Sequence, residues 1–395
     1  MVFGISSLEV PILFLLIFSL YILIGLKFSK KDIFAPWIVT PAIWWVMCVF
    51  IIFWGNLIFS LKGPFYIALI IWVTAIWFSS LFMYKLTSST KKSDYIFNIR
   101  IFYFFLILST ILTPFYIFKA FSNLGDNFVN LFSAIRHNAG DFVNNIGILK
   151  YLKTLNPVLL IIAILQSKNL SRWIIYYLLF LNCLMGFVIM EKGTFFLIMV
   201  TVLYLLNLKQ IITLKTIVIS MGLFLVMSFA FNLLRHNDTN ASFADFFAVY
   251  IISPCAAFET ITPESSDYWG AATFPFFYNL SNIFFDSDFN IVSKVKEFVF
   301  VPIPTNVYTI MQPFYEDFGY LGIGIFGIIT GVLAGFIYKR SNLESPIMIG
   351  AYIYILYSFI LQFFQENIFV SLSVVIQFYF FMWIFYSKSV YRIFR

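Results

Sequence analysis

The stretch GYLGIGIFGIITGVLAGFIY, residues 319–338, carries no charged side chain over its whole length. About 20 apolar residues in an α-helix cross the ~30 Å hydrocarbon core of a bilayer, whereas a strand of a membrane barrel needs only about ten residues of alternating polarity. The stretch therefore predicts a membrane-spanning helix. The spacing of its glycines allows close contact with a neighbouring helix.

Apolar runs of this kind recur along the chain. They lie at 8–26, 34–60, 64–84, 96–118, 155–167, 173–190, 194–208, 216–234, 319–338, 346–365 and 369–387. The composition agrees, since 62% of the residues are hydrophobic, 11% are charged and the mean hydropathy is +0.93, whereas about a quarter of the residues in soluble domains are charged. We predict an all-α polytopic membrane protein that forms a single integral membrane domain over residues 1–395, with about 11 transmembrane helices (roughly 10 to 12).

Lysine and arginine concentrate in alternate connections between the runs, which is typical of cytoplasmic loops. These connections and the C-terminal segment hold 16 of the 25 basic residues but only three of the 18 acidic ones, Asp32, Asp94 and Glu344. We therefore place the C-terminus in the cytoplasm, and eleven crossings place the N-terminus outside. The first run has no basic region before it and no small-residue cleavage site after it, so we expect it to be a retained anchor.

Two long connections fall on the outward side, a first loop at 119–154 and a large loop at 235–318. Within the large loop, Asp245 and Pro254 interrupt the apolar patch from Phe243 to Phe258. A crossing there would destroy the alternation of charge, so we expect the patch to be interfacial or re-entrant. Any chemistry is expected outside the cytoplasm.

Several classes of site have no support in the sequence. The formal charge of +7 is explained by topology, so nucleic acid is not an expected partner. The three cysteines, Cys48, Cys183 and Cys255, lack the spacing of metal ligands, and no metal or nucleotide motif is present. We expect no structural disulfide, no metal and no cofactor. Ionisable groups are nearly absent from the middle of the runs, which disfavours ion-coupled transport.

Three outward basic residues near helix ends are candidate ligands of a lipid diphosphate: Arg136, Lys192 and Arg235. A guanidinium binds phosphate oxygens bidentately, and the diphosphate of a membrane lipid would lie at this depth. The alternative for each is an ion pair with an acidic residue close by in the sequence, which would anchor the helix end.

The candidate general bases are the two histidines, His137 and His236, and two adjacent carboxylates, Glu316 and Asp317. Each histidine belongs to an Arg-His-Asn sequence, and the two copies lie in the two outward loops. An ordinary histidine pKa of about 6.5 suits proton abstraction near neutral pH. The alternative is a histidine that is only solvated in a loop.

Residues 302–322 combine turn-forming prolines with amides, carboxylates and aromatic rings. Such groups match the hydroxyls and the C–H faces of sugars. We expect Asn306, Tyr308 and Tyr315 to contact a sugar.

In this segment, TNVYT at 305–309 followed by YEDFGYLG at 315–322 resembles the C-terminal signature of the O-antigen polymerases, the Wzy-type oligosaccharide repeat-unit polymerases. The many apolar helices, the large late outward loop, Arg235 directly after a helix and Pro254 some way beyond it are also similar to that family.

The resemblance implies a membrane glycosyltransferase of the bacterial inner membrane, with a GT-C-like architecture and a periplasmic active site. It implies transfer of the glycan grown on undecaprenyl diphosphate to the non-reducing end of a new lipid-linked repeat unit, with release of undecaprenyl diphosphate. A chain-length regulator and a flippase are the implied partners. Related ligases often have a Ser-Arg pair where this chain has Glu191-Lys192, so Lys192 matches a phosphate role less well. Family members are often drawn with both termini in the cytoplasm, unlike the N-terminus predicted above.

Three other interpretations stay open. An O-antigen ligase would move finished glycan to a lipid A core. A lipid-linked oligosaccharide flippase or another transporter would move substrate across the bilayer, although the long outward loop and the scarcity of midplane charges disfavour it. A scaffold of a polysaccharide export complex would have no catalytic role.

Overall fold

The computed structural model describes residues 9–29, 31–61, 63–88, 95–122, 146–236, 248–294, 296–302, 304–342 and 345–387. Its α-helices in chain order are α1 (Glu9–Phe28), α2 (Pro36–Trp54), α3 (Gly63–Leu86), α4 (Ile99–Ser122), α5 (Leu152–Leu165), α6 (Arg172–Val188), α7 (Lys192–Leu208), α8 (Leu214–His236), α9 (Ser253–Phe258), α10 (Pro275–Phe285), α11 (Gln312–Asn342), α12 (Pro346–Ile360) and α13 (Leu372–Tyr386). Two-residue strands, β1 (Val299–Phe300) and β2 (Pro304–Thr305), pair antiparallel.

Each predicted apolar run coincides with one of these helices. Within the described ranges, seven helical segments are long and apolar enough to cross a membrane: α1, α2, α3, α4, α5, α8 and α11, counted with the short 3-10 turns that extend α2 and α5. The helices α6, α7, α12 and α13 are apolar but shorter. The prediction of an α-helical membrane protein is confirmed at this level.

The chain divides into two compact units, each assembled from distant segments. The first comprises Met1–Thr90, Ser242–Arg340 and Ile355–Val375. The second comprises Lys91–Ala241, Ser341–Tyr354 and Ile376–Arg395.

In the first unit, the glycines of α11 allow it to pack directly on α3. A Cβ at Gly331 would lie 2.0 Å from Ser79 Oγ, and a Cβ at Gly335 would lie 2.2 Å from the backbone oxygen of Ser80. These glycines therefore leave the space that the α3 backbone occupies, the role expected of small residues between membrane helices.

The α11 helix turns a corner at Gly319, whose φ of 61° and ψ of −149° are not helical. L-residues with a side chain rarely adopt this conformation, so glycine is required there. Gly322 completes the corner, because a Cβ at that position would lie 2.4 Å from the Phe314 carbonyl oxygen. The glycines of the family-like sequence YEDFGYLG thus form a backbone corner.

Aromatic rings stack through this corner. Phe326 lies 4.7 Å from Phe314 and 5.7 Å from Phe318 between ring centroids, and both pairs are nearly parallel. Trp72 of α3 stacks on Phe314 at 5.6 Å, and Trp269 contacts Phe318 edge-on at 5.1 Å. We call these five residues the ring column, since it joins α3, α11 and the segment before α10.

The patch expected to be interfacial or re-entrant is described from residue 248 onward. It forms one π-helical turn, Ala248–Ile252, followed by α9, and every residue of α9 is buried. The turn packs against α2. Immediately after α9, Glu259 Oε1 accepts a hydrogen bond from the backbone N–H of Phe65 at the start of α3 (3.1 Å).

In the second unit, polar side chains connect α4, α5 and α6. Asn156 accepts a hydrogen bond from Ser109 Oγ through Oδ1 and donates from Nδ2 to Met185 Sδ at 2.8 Å. Asn182 Nδ2 donates to the backbone oxygen of Asn156 at 3.1 Å. All of these asparagine and serine side chains are buried, as expected of interhelical hydrogen bonds in a membrane protein.

Replacing Gly335 by alanine is expected to lower the free energy of unfolding by about 1–3 kcal/mol, the range observed for overpacking. The cause is the clash of the new Cβ with the Ser80 carbonyl oxygen. Equilibrium unfolding of the purified protein in detergent measures the loss. Gly324→Ala is the matched control, because the nearest atom to its Cβ is Ile71 Cγ2 at 3.5 Å. Equal losses in the two variants would contradict the packing argument.

Candidate functional site

A polar cleft opens in the first unit beside the start of α11. Its empty volume, including space open to solvent, is about 320 Å³. Four parts of the chain line it: the turn before α10, residues 292–294 together with Lys296, the first turn of α11 and the connection between α12 and α13. The lining residues are Ala272, Val292, Ser293, Lys294, Lys296, Gln312, Gln365, Glu366 and Val370. We call it the Lys296 cleft.

Glu316 is held at this cleft by two side chains. Lys296 Nζ lies 2.7 Å from Glu316 Oε1, an ion pair that is largely shielded from solvent. Gln312, one helical turn before Glu316, donates from Nε2 to Oε2. Both carboxylate oxygens therefore have a donor that also lines the cleft, which fixes the orientation of the carboxylate.

Lys294 attaches the segment 292–296 to the connection between α12 and α13. Its Nζ donates to Ser371 Oγ at 2.6 Å and to Asn367 Oδ1 at 3.1 Å. Gln365 Nε2 donates to the same Asn367 oxygen at 2.8 Å. Lys294 and Lys296, although close in sequence, thus bind to opposite walls of the cleft.

Glu366 also lines the cleft and is only 4% exposed. Its oxygens accept the backbone N–H groups of Ile368 and Val370, both at 2.7 Å. Burial raises the pKa of this carboxyl above its ordinary value. The backbone N–H groups and Lys294 act to lower the pKa, but the effect of burial is larger. By accepting these two bonds, the carboxyl fixes the backbone of the connection between α12 and α13.

Asp317 points away from Glu316 and performs a structural task. Its Oδ1 accepts the backbone N–H of Ala272 at 3.1 Å, and its Oδ2 accepts that of Thr273 at 2.7 Å. The Thr273 hydroxyl adds a bond to the Pro313 carbonyl at 3.3 Å. Asp317 therefore holds the turn that forms one wall of the cleft.

Three residues were expected to contact a sugar: Asn306, Tyr308 and Tyr315. They are close in sequence to Gln312, which lines the cleft, but they are not lining residues themselves. Asn306 and Tyr308 follow β2 and are half-buried. Burial raises the pKa of Tyr308, and a hydrogen bond with Thr260 opposes the rise. Tyr315 is buried, with its ring 4.9 Å from Phe258 and 5.1 Å from Tyr320 between centroids. Its ring face is therefore occupied by other rings.

Lys192 begins α7 in the second unit. The preceding residue, Glu191, pairs with Lys153 at 2.9 Å and accepts a hydrogen bond from Thr194 Oγ1 at 3.0 Å. Glu191, Lys153 and Thr194 line a smaller pocket with an empty volume of about 210 Å³, whose other residues include the buried Asn156. The neighbourhood of Lys192 is thus an ion-paired helix end.

The side chains of four predicted site residues are not described. Arg136 and His137 fall in the range 123–145, which is not described. Arg235 and His236 form the last turn of α8, but their side chains are not described. The roles of these four residues therefore stay predictions.

The sequence indicated Glu316 as a candidate but did not indicate the lysines or the α12–α13 connection that line the cleft. Two signals were present. Lys294 and Lys296 are basic residues in a loop predicted to lie on the outward side, where lysine is scarce, and Gln365, Glu366 and Asn367 form a polar cluster in a short connection between apolar helices. Neither signal reveals a partner, because the partners are distant in sequence.

The chemistry of the cleft suits a ligand rich in hydroxyl groups. Ammonium and amide donors alternate with carboxylate and amide acceptors, and the charges of Lys296 and Glu316 compensate each other. Vicinal hydroxyls of a sugar can donate to a carboxylate and accept from an ammonium or an amide. Within the described ranges, no group of three His, Cys, Asp or Glu residues is placed to hold a metal ion.

Comparison of the chain with protein-family models, with curated proteins and with solved structures finds no match.

Asp317→Ala is expected to loosen the wall of the cleft, because it leaves two buried N–H groups without an acceptor, at about 1–3 kcal/mol each. Amide hydrogen exchange of a peptide spanning 268–276 is expected to become faster, and the melting temperature is expected to fall. Asp288→Ala removes an exposed carboxylate from the same region and is the control. Unchanged exchange at Ala272 and Thr273 would contradict the assigned role.

Glu366 is expected to give the stability of the protein a distinct pH dependence. A carboxyl whose pKa is raised by folding stabilises the fold fully below its unfolded value, about pH 4.3 for Glu, and loses this contribution as pH rises through its folded value. The unfolding free energy of the native protein minus that of Glu366→Gln should therefore fall as the pH rises above the unfolded value of about 4.3. Unfolding titrations at matched pH values measure the difference. A difference that grows with pH would show that the pKa is lowered instead.

Proposed function

We propose that this protein polymerises oligosaccharide repeat units carried on undecaprenyl diphosphate into an O-antigen or a similar surface polysaccharide. The enzyme would be a membrane glycosyltransferase that transfers the growing glycan from its lipid diphosphate to the non-reducing end of an incoming lipid-linked unit.

The observation that carries the proposal is the location of the family-like segment. The sequence YEDFGYLG begins at the polar cleft, and its Glu316 is held there by Lys296 and Gln312. A carboxylate fixed beside amide and ammonium donors is the arrangement that a sugar acceptor requires if its hydroxyl is to lose a proton during transfer. The resemblance and the geometry thus support the same site.

The proposed step is a glycosyl transfer at the anomeric carbon of the growing glycan. The bond between the anomeric carbon and the diphosphate oxygen breaks, and a bond forms from that carbon to the acceptor hydroxyl oxygen. Glu316 takes the hydroxyl proton, and undecaprenyl diphosphate leaves with the negative charge. Arg136 and Arg235, with Lys192 as a weaker candidate, would stabilise that charge more in the transition state than in the ground state.

Glu316 is the preferred base among the four candidates. The two donors to Glu316 are side chains that line the cleft, whereas the adjacent Asp317 binds two backbone N–H groups of a turn. His137 and His236 remain the alternatives for the base. Asn306 and Tyr308, half-buried after β2, remain proposed sugar contacts.

The proposal includes the arrangement in the membrane. Eleven helices would cross the bacterial inner membrane in a GT-C-like architecture, with the C-terminus in the cytoplasm and the Lys296 cleft on the periplasmic side. The segments 119–154 and 235–318 would be the periplasmic loops. A flippase that supplies lipid-linked units and a chain-length regulator would be partners.

A deletion strain tests the function. We expect single repeat units to replace the ladder of surface polysaccharide on a gel. Full-length polymer that stays unattached to the lipid A core would indicate a ligase, and units that accumulate on the cytoplasmic leaflet would indicate a flippase; either result would overturn the proposal. The same assay with Arg136→Ala and Arg235→Ala tests the diphosphate ligands.

Complementation of that strain with Glu316→Gln tests the base. Polymerisation by the purified variant is expected to slow by about 10²-fold or more, the usual contribution of a general base. Glu297→Gln, which changes an exposed carboxylate in the same segment, is the matched control. Lys296→Met removes the ion pair but keeps the carboxylate. If Glu316 had only a structural role, Glu316→Gln and Lys296→Met would slow polymerisation equally.

A further inference from the structure

The helix α10 and the residue Trp269 form an exposed apolar surface outside the long apolar helices of the first unit. The exposed fractions are 78% for Trp269, 68% for Ile283, 70% for Phe284 and 79% for Phe285, and Phe277 is also exposed. We call these five residues the α10 surface. Large exposed apolar patches mark a contact with another apolar phase.

The helix itself is too short to cross a bilayer. Its 11 residues rise roughly 16 Å, against a hydrocarbon core of about 30 Å. Its other face is polar and bonded to the protein: Tyr278 donates to the Trp269 carbonyl, and the Asn282 side chain bonds the backbone N–H and C=O of Phe289 at 3.1 and 2.8 Å. An apolar face opposite a bonded polar face is the pattern of a helix that lies in a membrane surface.

The α10 surface continues the exposed apolar face of a membrane-spanning helix. Trp269 contacts Phe318 at the corner of α11, and Phe274 contacts Phe326 at 5.6 Å. Beyond the corner, α11 exposes Leu321, Ile325 and Ile328. Because α11 qualifies as a membrane span, its exposed apolar face is expected to contact lipid, and Trp269 extends that face past the end of the span. Tryptophan is enriched at this depth.

The charged residues beside the α10 surface indicate which lipid head groups it contacts. Asp267, Asp286 and Asp288 are exposed at its edges, and the sequence from 251 to 293 contains no lysine or arginine. Anionic head groups would be repelled by these carboxylates, whereas zwitterionic head groups offer an ammonium to them. The chemistry therefore favours a zwitterionic bilayer surface.

We propose that the α10 surface is embedded in the membrane–water interface on the side of the α11 corner, among zwitterionic lipids. The helix then lies along the bilayer surface with Phe284 and Phe285 below the head groups. Ala272, between Trp269 and α10, lines the Lys296 cleft, so the same contact keeps this wall of the cleft at the depth of the head groups.

Nitroxide labels on the full-length protein in zwitterionic nanodiscs test the depth. The three native cysteines are replaced by alanine, and single cysteines are introduced as Phe284→Cys and, as an aqueous control, Asn290→Cys, an exposed position just beyond the helix. We expect the ratio of collision with oxygen to collision with a water-soluble nickel chelate to be several-fold higher at position 284. Equal ratios would place α10 in water, and low collision with both reagents at position 284 would indicate cover by protein; either result overturns the proposal.

A second measurement requires no cysteine and guards against variants that fail to fold. Bromine on lipid acyl chains quenches tryptophan at contact, and the loss of signal in Trp269→Phe isolates the contribution of Trp269. We expect this contribution to be quenched by brominated lipid and protected from acrylamide. Quenching by acrylamide alone would contradict an interfacial position. Replacing the zwitterionic lipid by an anionic one is expected to weaken bromolipid quenching, and no change would contradict the inferred lipid preference.

Discussion

The carboxylate of Asp317 holds the candidate site together. It accepts two backbone N–H groups from the turn at Ala272 and Thr273, and these bonds attach the turn to α11. Hydrogen bonds to an ionised acceptor are stronger than those between neutral groups. Once the turn is fixed, one wall of the Lys296 cleft is fixed, and α10 is oriented because it starts directly after the turn.

Glu316 and Asp317 are neighbours in the sequence, yet they have different tasks because successive residues of a helix point about 100° apart. One carboxylate faces the cleft with Lys296 and Gln312, and the other faces the turn. The corner at Gly319 comes two residues later. The first turns of α11 therefore contribute a carboxylate to the cleft, hold the turn before α10 and set the direction in which the rest of α11 runs. A sequence resemblance that rests on these residues therefore reflects structure as well as chemistry.

The apolar runs predicted the positions of the long helices because a bilayer leaves a chain few alternatives to intrahelical hydrogen bonds. The cleft could not be predicted in the same way. Lys294 meets Ser371, and such a contact between distant segments leaves no periodic trace in the sequence. Glu316 was found through its polar neighbourhood, whereas Tyr315, expected to present its ring to a sugar, packs between Phe258 and Tyr320. An aromatic residue beside a helix corner can pack into the core as readily as it can contact a ligand.

Ring contacts with α11 determine whether the segment between α9 and α11 can fold on its own. Trp269 contacts Phe318 of α11 edge-on, and Phe274 contacts Phe326 of the same helix. A fragment limited to this segment would keep Trp269 and Phe274 but lose both of these partner rings. It is therefore not a module that can be cut out and folded in solution, and its shape is a property of the membrane-embedded chain.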